Sequence, residues 1–296
     1  MKNMRLIQAG EPAEAGGTGA ATEYAYRKQD FEAISALVYD HAGITLADGK
    51  STMVYSRLAK KLRAKGLDSF ADYVALVRRD PAELAACIEA LTTNHTRLFR
   101  EGHHFDHFHA HVRSGLLAKA MRRSKVRLWS AGCSSGEEVY SLTMTLLGRD
   151  REAASMIGGA DLLLLASDIN ERVLALGRAA QYRGGDVTDI PEPYRSLWTQ
   201  RTADGFEIRE EARRLVRFRQ LNLLHAWPIS GQFDVIFCRN TMIYFDEETK
   251  ARLLSGFADR LLSGGYLYIG HSERLVGPAT ARFKSVGQTI YQKVAA

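Results

Sequence analysis

The sequence predicts an α/β fold, a mostly parallel sheet with a small β insertion, preceded by a small all-α unit. Three observations carry that expectation. Beyond residue 110, short apolar runs alternate with stretches of helical periodicity, as strands and helices do when they take turns along one sheet. A glycine-containing turn separates the first of those runs from the helix after it. Ahead of them, four helical patterns follow one another between Asp30 and Leu91.

Residues 1–22, with Glu11-Pro12 and Gly16-Gly17-Thr18-Gly19, are rich in glycine and alanine and lack periodicity, which predicts a disordered tail. The all-α unit is expected over residues 23–92. Asp30 stands as a candidate N-cap, and Phe31, Ile34, Leu37 and Val38 recur at helical spacing until Gly43 stops the helix. A second helix carries Val54, Leu58 and Leu62 on one face and ends at Gly66; its other faces hold Arg57, Lys60, Lys61, Arg63 and Lys65. A third starts near Asp68 with Phe70, Tyr73, Val74 and Val77 inward. A fourth opens on Pro81, tolerated in a first turn because the missing N–H would have no partner there, and runs through Leu84, Ile88 and Leu91.

In the second unit, expected over 93–296, Val126 to Ala131 reads as a buried strand entering the turn Gly132-Cys133-Ser134-Ser135-Gly136, and Glu137 to Leu147 as a helix. Leu162 to Ala166 is a strand ending at Ser167-Asp168, followed by a helix from Glu171 to Arg178. Phe233 to Cys238 is a strand entering Arg239-Asn240, Glu247 to Leu262 a helix, and Gly265 to Gly270 and Thr289 to Lys293 the closing strands. Between about 182 and 220, Phe206-Glu207-Ile208-Arg209 and Leu215-Val216-Arg217-Phe218 alternate over short lengths; they predict the β insertion. No internal repeat is visible.

With 296 residues, 46% hydrophobic and 25% charged, the chain can bury the cores of two packed units. Its longest apolar run, Leu162 to Ala166, is far too short to cross a bilayer, and no apolar stretch follows Lys2 and Arg5, so neither membrane insertion nor secretion is expected. Cys87, Cys133 and Cys238 are widely spaced, odd in number and free of any C-x-x-C pattern, the usage of reduced thiols in a cytoplasmic protein. The net charge of +6 favours an acidic partner without choosing among nucleic acid, membrane surface and protein.

The turn from Gly132 to Gly136 is where the chemistry begins. Glycine lets a ligand approach the backbone, and the helix N-terminus behind it offers unpaired N–H groups. The turn is neither a G-x-G-x-x-G nor a phosphate loop. Glu137 and Glu138 occupy the position a pyrophosphate would need, which disfavours an anionic ligand and suits a cationic one such as S-adenosylmethionine. Asp168, at the carboxyl end of the next strand, is placed to accept hydrogen bonds from ribose hydroxyls. Either signal alone is weak, since an acid after a strand is often a helix cap. In this order they point to a nucleoside-bearing ligand.

A longer set of motifs stands around them. It comprises Asn94-His95-Thr96-Arg97-Leu98-Phe99-Arg100-Glu101, Ser130-Ala131-Gly132-Cys133-Ser134-Ser135-Gly136-Glu137-Glu138, Ala166-Ser167-Asp168-Ile169, Asn222-Leu223-Leu224, Phe237-Cys238-Arg239-Asn240, Met242-Ile243-Tyr244-Phe245 and Gly270-His271-Ser272-Glu273. From about residue 30 onward the chain closely resembles the chemotaxis receptor glutamate methyltransferases, the CheR type. The resemblance implies a Rossmann-like class I methyltransferase domain with a small β insertion, preceded by the helical domain. It further implies cofactor contacts from Asn94, Thr96, Arg100, Glu137, Asp168, Asn222, Leu223, Arg239 and Asn240, with Arg100 and Tyr244 near the transferred methyl group. Arg57, Lys60, Lys61, Arg63 and Lys65 then match the surface that meets the acidic cytoplasmic methylation helices of chemoreceptors. Val139 and Leu98 depart from the residues relatives often carry there, proline and phenylalanine; both swaps are apolar. The loop from Thr202 to Phe206 looks shorter than in relatives that dock on a receptor's C-terminal pentapeptide, so tethering through that peptide is not expected.

Plainer readings stand beside these. An isolated tyrosine in an apolar run, as Tyr244 is, commonly serves the core, and Arg100 alone could be a surface ion pair. His103, His107 and His111 share a helical face, but without a nearby cysteine they are read as surface and core-edge residues, and no metal site is expected. Cys133 and Cys238 suit small buried positions better than nucleophiles. The basic second helix taken alone could be a solvated face. A nucleic-acid methyltransferase is the competing enzyme, motivated by the isoelectric point of about 9.2. Yet Asn240-Thr241-Met242-Ile243-Tyr244 lacks the prolines of adenine N6 enzymes, and no basic stripe with interleaved aromatics appears. A non-catalytic S-adenosylmethionine sensor would keep the pocket and lose Arg100 and Tyr244, and both are present.

Overall fold

The computed structural model describes residues 23–92, 94–157 and 159–295; the tail expected over 1–22 lies outside the described residues. The all-α domain consists of α1 (Lys28–Ala42), α2 (Ser51–Lys65), α3 (Phe70–Arg79) and α4 (Pro81–Leu91). Helix α1 begins earlier than its periodicity suggested. Arg27 is the N-cap, and Asp30, on the third helical residue, accepts the Arg27 N–H at 2.8 Å, so it secures that end from inside the helix. Gly43 and Gly66 close α1 and α2 with φ of 63° each, a left-handed geometry natural to glycine. Ser69 and Asp80 cap α3 and α4 through their side-chain oxygens. Ile34, Val38, Val54, Leu58, Leu62, Phe70 and Tyr73 meet in the core between the helices. Glu83 is buried there with its charge answered by Lys65 at 2.6 Å and the Tyr73 hydroxyl at 3.0 Å.

A helical stretch the periodicity did not resolve comes next: α5 (His103–His107), a π-helical turn (Phe108–Val112) and α6 (Arg113–Met121). The second domain continues with β1 (Val126–Ala131), α7 (Glu137–Leu147), α8 (Arg151–Met156), β2 (Leu162–Asp168) and α9 (Glu171–Ala179). The insertion follows as β3 (Gln181–Arg183), α10 (Tyr194–Trp198), β4 (Thr199–Arg201) and β5 (Gly205–Ile208). Then come α11 (Glu210–Arg213), β6 (Val216–Gln220), β7 (Phe233–Cys238), α12 (Glu247–Arg260), β8 (Leu261–Ile269), β9 (Phe283–Gly287) and β10 (Ile290–Lys293).

Seven strands form one sheet in the order β6-β2-β1-β7-β8-β10-β9, and three form a small antiparallel sheet in the order β3-β5-β4. In the large sheet β6, β2, β1, β7 and β8 run parallel, and β10 is antiparallel to both neighbours. Chain order reverses between β1 and β7, which opens a crevice at the carboxyl ends of the strands. Two further expectations need correction. The run ending at Phe218 does not belong to the insertion: Val216 and Phe218 are buried and their strand pairs with Leu164 to Asp168, making it the edge of the large sheet. The helix expected to Leu262 ends at Arg260, because Leu261 already pairs with Phe233 in the sheet. Among the described residues no helix is long and apolar enough to cross a membrane.

Candidate active site

A cavity of about 550 Å³ lies at the crevice where β1, β2 and β7 end. Its floor is the α/β domain, and a wall is supplied by the helical domain through Ala42, Ile44, Thr45, Leu46, Lys50 and Met53. The two domains are joined at this wall. Asn222 Nδ2 donates to the His41 carbonyl at 2.7 Å, and the Thr45 N–H donates to the Tyr244 carbonyl at 2.8 Å. The Tyr39 hydroxyl donates to Asp246, the N-cap of α12, at 2.5 Å.

The turn after β1 is set by packing as well as by access to the cavity. Gly132 has φ of 80°, and a Cβ there would come within 2.3 Å of the Thr241 hydroxyl oxygen. Gly136, with φ of 95°, sits against Gly177, Phe218 and Tyr182, each 3.2 Å from a Cβ placed there. Asp168 holds the turn from the neighbouring strand: its Oδ2 accepts the Ser134 N–H at 2.9 Å and its Oδ1 the Asn170 N–H at 3.0 Å. Burial raises the pKa of this carboxyl, opposed by those backbone donors. Each oxygen keeps room for a further donor.

Of the two acids opening α7, Glu138 lines the cavity and Glu137 does not. The Glu137 carboxylate accepts the Ser135 hydroxyl at 2.9 Å. Glu138 accepts the Ser130 hydroxyl at 2.7 Å and lies 3.3 Å from the Arg239 guanidinium. Arg239 is buried between Glu138 and Glu101, with Glu101 at 3.2 Å, and also donates to the Arg100 carbonyl. A buried guanidinium costs heavily unless paired, and here two carboxylates share it. Glu101 in turn accepts from His271 at 2.9 Å and Asn240 at 3.3 Å.

This network divides the acid response of the fold. Burial pushes Glu101 up, but Arg239, His271 and Asn240 outweigh it and hold the carboxyl at about 2, against 4.5. Its stabilising contribution is therefore complete above about pH 4.5 and lost as pH falls toward 2. His104, wholly buried, is pushed down to about 3 from 6.5 by burial and by Arg239. The unfolded chain protonates it first, so stability is lost as pH falls from about 6.5 toward 3. His104→Asn should flatten melting temperature against pH between about 6.5 and 4.5, and Glu101→Gln only below about 4.5. Parallel melting curves for wild type and His104→Asn across the upper window would contradict the assignment.

Arg100 and Tyr244 meet at the same cavity. Arg100 Nη1 donates to the His95 carbonyl at 2.8 Å, which steadies the guanidinium. Tyr244 ends a 3-10 turn (Met242–Tyr244) in the loop that leaves β7 and packs against the helical-domain core. Asn94, Thr96, Arg100, Asp168, Asn222, Leu223, Arg239 and Asn240 all line the cavity, so the structure brings together eight of the nine expected cofactor positions, Glu137 being the exception. The helical-domain wall was missed; its signal was the apolar Ile44-Thr45-Leu46 directly after a helix stop. Of the basic residues on α2, Arg57 donates to the carbonyls of Ala90, Leu91 and Thr92 at the end of α4, and Arg63 pairs with Glu23. Lys65 is held by Glu83, and Lys60 is exposed. Cys133 lines the cavity with its thiol pKa pushed well up by burial; Cys87 and Cys238 are buried. His104 is a core residue, its Nε2 at 2.9 Å from the Thr289 hydroxyl. Among the described residues no group of three or more His, Cys, Asp or Glu is arranged to hold a metal ion.

The lining suits S-adenosylmethionine. Asp168 offers acceptors to a ribose diol, Glu138 is an anion beside a cationic ligand, Arg100 is a cation for a carboxylate, and Ile169, Leu221 and Leu223 form an apolar wall for a base. With the strand order above, fold and cavity define a class I S-adenosylmethionine-dependent methyltransferase. Residues 94–292 match the CheR methyltransferase, SAM binding domain, and residues 29–92 the CheR methyltransferase, all-alpha domain. The chain belongs to the CheR methyltransferase family. It is 41% identical over 263 residues to a probable chemotaxis protein methyltransferase of Rhizobium etli, covering 86% of this chain and 96% of the relative. With chemotaxis protein methyltransferase 2 of Pseudomonas aeruginosa it shares 40% identity over 277 residues, 91% of this chain and 94% of the relative. With the chemotaxis protein methyltransferase of Escherichia coli it shares 39% over 270 residues, 88% and 89% of the two chains.

Proposed function

We propose that this protein is a cytoplasmic protein-glutamate O-methyltransferase that esterifies glutamate side chains on the methylation helices of chemoreceptors. The observation that carries the reading is the meeting of Arg100 and Tyr244 in one cavity with Asp168 and Glu138. When bound, S-adenosylmethionine supplies a methyl group on a positively charged sulfur. A glutamate side chain, with a pKa of ~4.3, is ionised at neutral pH and needs no general base to become a nucleophile. The residues therefore have to align the carboxylate and exclude water, which is worth up to ~7–11 kcal/mol in favourable cases. Arg100 and the Tyr244 hydroxyl orient the carboxylate without a clamp so tight that it stabilises the ground state. Asp168, Glu138, Asn222 and Asn240 belong in this reading to the cofactor, and Lys60, Lys61 and their neighbours on α2 to the receptor. The division of the chain at residues 92 and 93 is part of the same proposal.

The test is incubation with methyl-labelled S-adenosylmethionine and, separately, receptor cytoplasmic fragments, DNA and RNA. Base-labile label on the receptor supports a carboxyl methyl ester; label on nucleic acid, or on nothing, overturns it. Three residues, Thr202 to Asp204, join β4 to β5 in the insertion. This short turn supports the expectation that pentapeptide tethering is dispensable. Calorimetry with a receptor-tail pentapeptide should show no binding, and micromolar affinity would contradict it.

A further inference from the structure

We infer that Glu273 is a positioning residue for methyl transfer: its buried carboxylate holds the loop after β7 so that Tyr244 faces the cavity. The inference rests on reading Tyr244 as part of the transfer site. Glu273 is 8% exposed and is not in the cavity lining, so it acts on neither substrate nor cofactor directly. Its Oε2 accepts the N–H of Gly270 at 2.6 Å and that of Asn240 at 3.1 Å, and its Oε1 accepts the N–H of Met242 at 2.7 Å. One side chain thereby ties the loop leaving β8 to the loop leaving β7.

Only a carboxylate accepts at both ends and donates at neither. The two loops are also pressed together independently of that side chain. A Cβ on Gly270 would lie 2.6 Å from Asn240 Nδ2 and 2.7 Å from its backbone nitrogen. Asn240 takes φ of 57°, a left-handed geometry, and the chain turns there into the segment that carries Tyr244. From the other side, the Thr45 N–H grips the Tyr244 carbonyl. The loop is thus fastened by Glu273 at Asn240 and Met242 and by the helical domain at Tyr244 itself.

In Glu273→Gln the amide nitrogen would face a backbone N–H, so at least one of the three bonds is lost and two donors oppose each other. The experiment is a double-mutant cycle on the full-length enzyme, with a purified receptor cytoplasmic fragment and saturating labelled S-adenosylmethionine. Glu273→Gln is expected to lower kcat by about tenfold or more with KM for the fragment little changed. In the Tyr244→Phe background the same substitution is expected to cost nothing further, because the group it positions is gone. A loss of folded enzyme would multiply equally in both backgrounds. Equal losses in the two backgrounds, or full kcat in Glu273→Gln, would overturn the inference while leaving Tyr244 in place. Wild-type turnover by Tyr244→Phe is a different result, which removes Tyr244 from the site and this inference with it. Should Glu273→Gln fold poorly, Glu273→Asp, which keeps the charge and shortens the reach, is carried through the same cycle with the same non-additivity expected.

Discussion

Asp168→Ala should weaken S-adenosylmethionine binding by at least about a hundredfold, the change being read by calorimetry on the folded protein. Two effects add. The carboxylate is the acceptor offered to the ribose hydroxyls, and hydrogen bonds to a charged group contribute roughly 1.5–3 kcal/mol each. It is also what holds the glycine turn, through the Ser134 N–H at 2.9 Å, and α9, through the Asn170 N–H at 3.0 Å. Alanine leaves those two donors without their acceptor at the edge of the cavity, so the turn that approaches the ligand loosens as the ligand loses its partner. Asp168→Asn keeps one acceptor oxygen and should lose less. Affinity unchanged in the alanine variant would remove Asp168 from the cofactor site.

Arg100→Ala should lower kcat by about a hundredfold to a thousandfold at saturating cofactor, the scale seen when one preorganised donor to a reacting group is removed. The side chain is steadied by the His95 carbonyl at 2.8 Å and lines the cavity with Tyr244. It is only half-buried, so its loss should leave the melting temperature nearly unchanged. Arg100→Lys should recover little, because a single ammonium cannot present the planar fork of donors. Wild-type turnover in Arg100→Ala, with a cofactor still bound, would contradict its role in transfer.

Much of this was legible along the chain. The apolar runs at Val126, Leu162 and Phe233 are legible as strands because each is short and closed by a turn. Gly43 and Gly66 stop helices because a left-handed residue is needed there. Asp168 and the turn at Gly132 could be singled out because a strand end followed by an acid is a local pattern. What could not be read was orientation. Glu137 and Glu138 are neighbours of the same type; which one lines the cavity depends on how α7 is rotated against the sheet, and Glu138 is the one among the lining residues. Arg57 and Lys65 look like a solvated basic face, yet one closes the end of α4 and the other neutralises buried Glu83. The strand at Val216 was grouped with its neighbours in sequence, whereas its hydrogen bonds go to β2.

By itself the sequence determined the two kinds of domain, most helix ends and the positions where ligand chemistry concentrates, since spacing, capping and turn residues act within a few positions of one another. Only the tertiary structure decided which charges are buried and paired, as Arg239 is between Glu101 and Glu138. It also decided that the helical domain walls the cavity and that Glu273 reaches back across the sheet to Asn240. Those outcomes turn on where segments far apart in the chain come to rest, and the low dielectric of the interior then makes each such pairing costly to leave unmade.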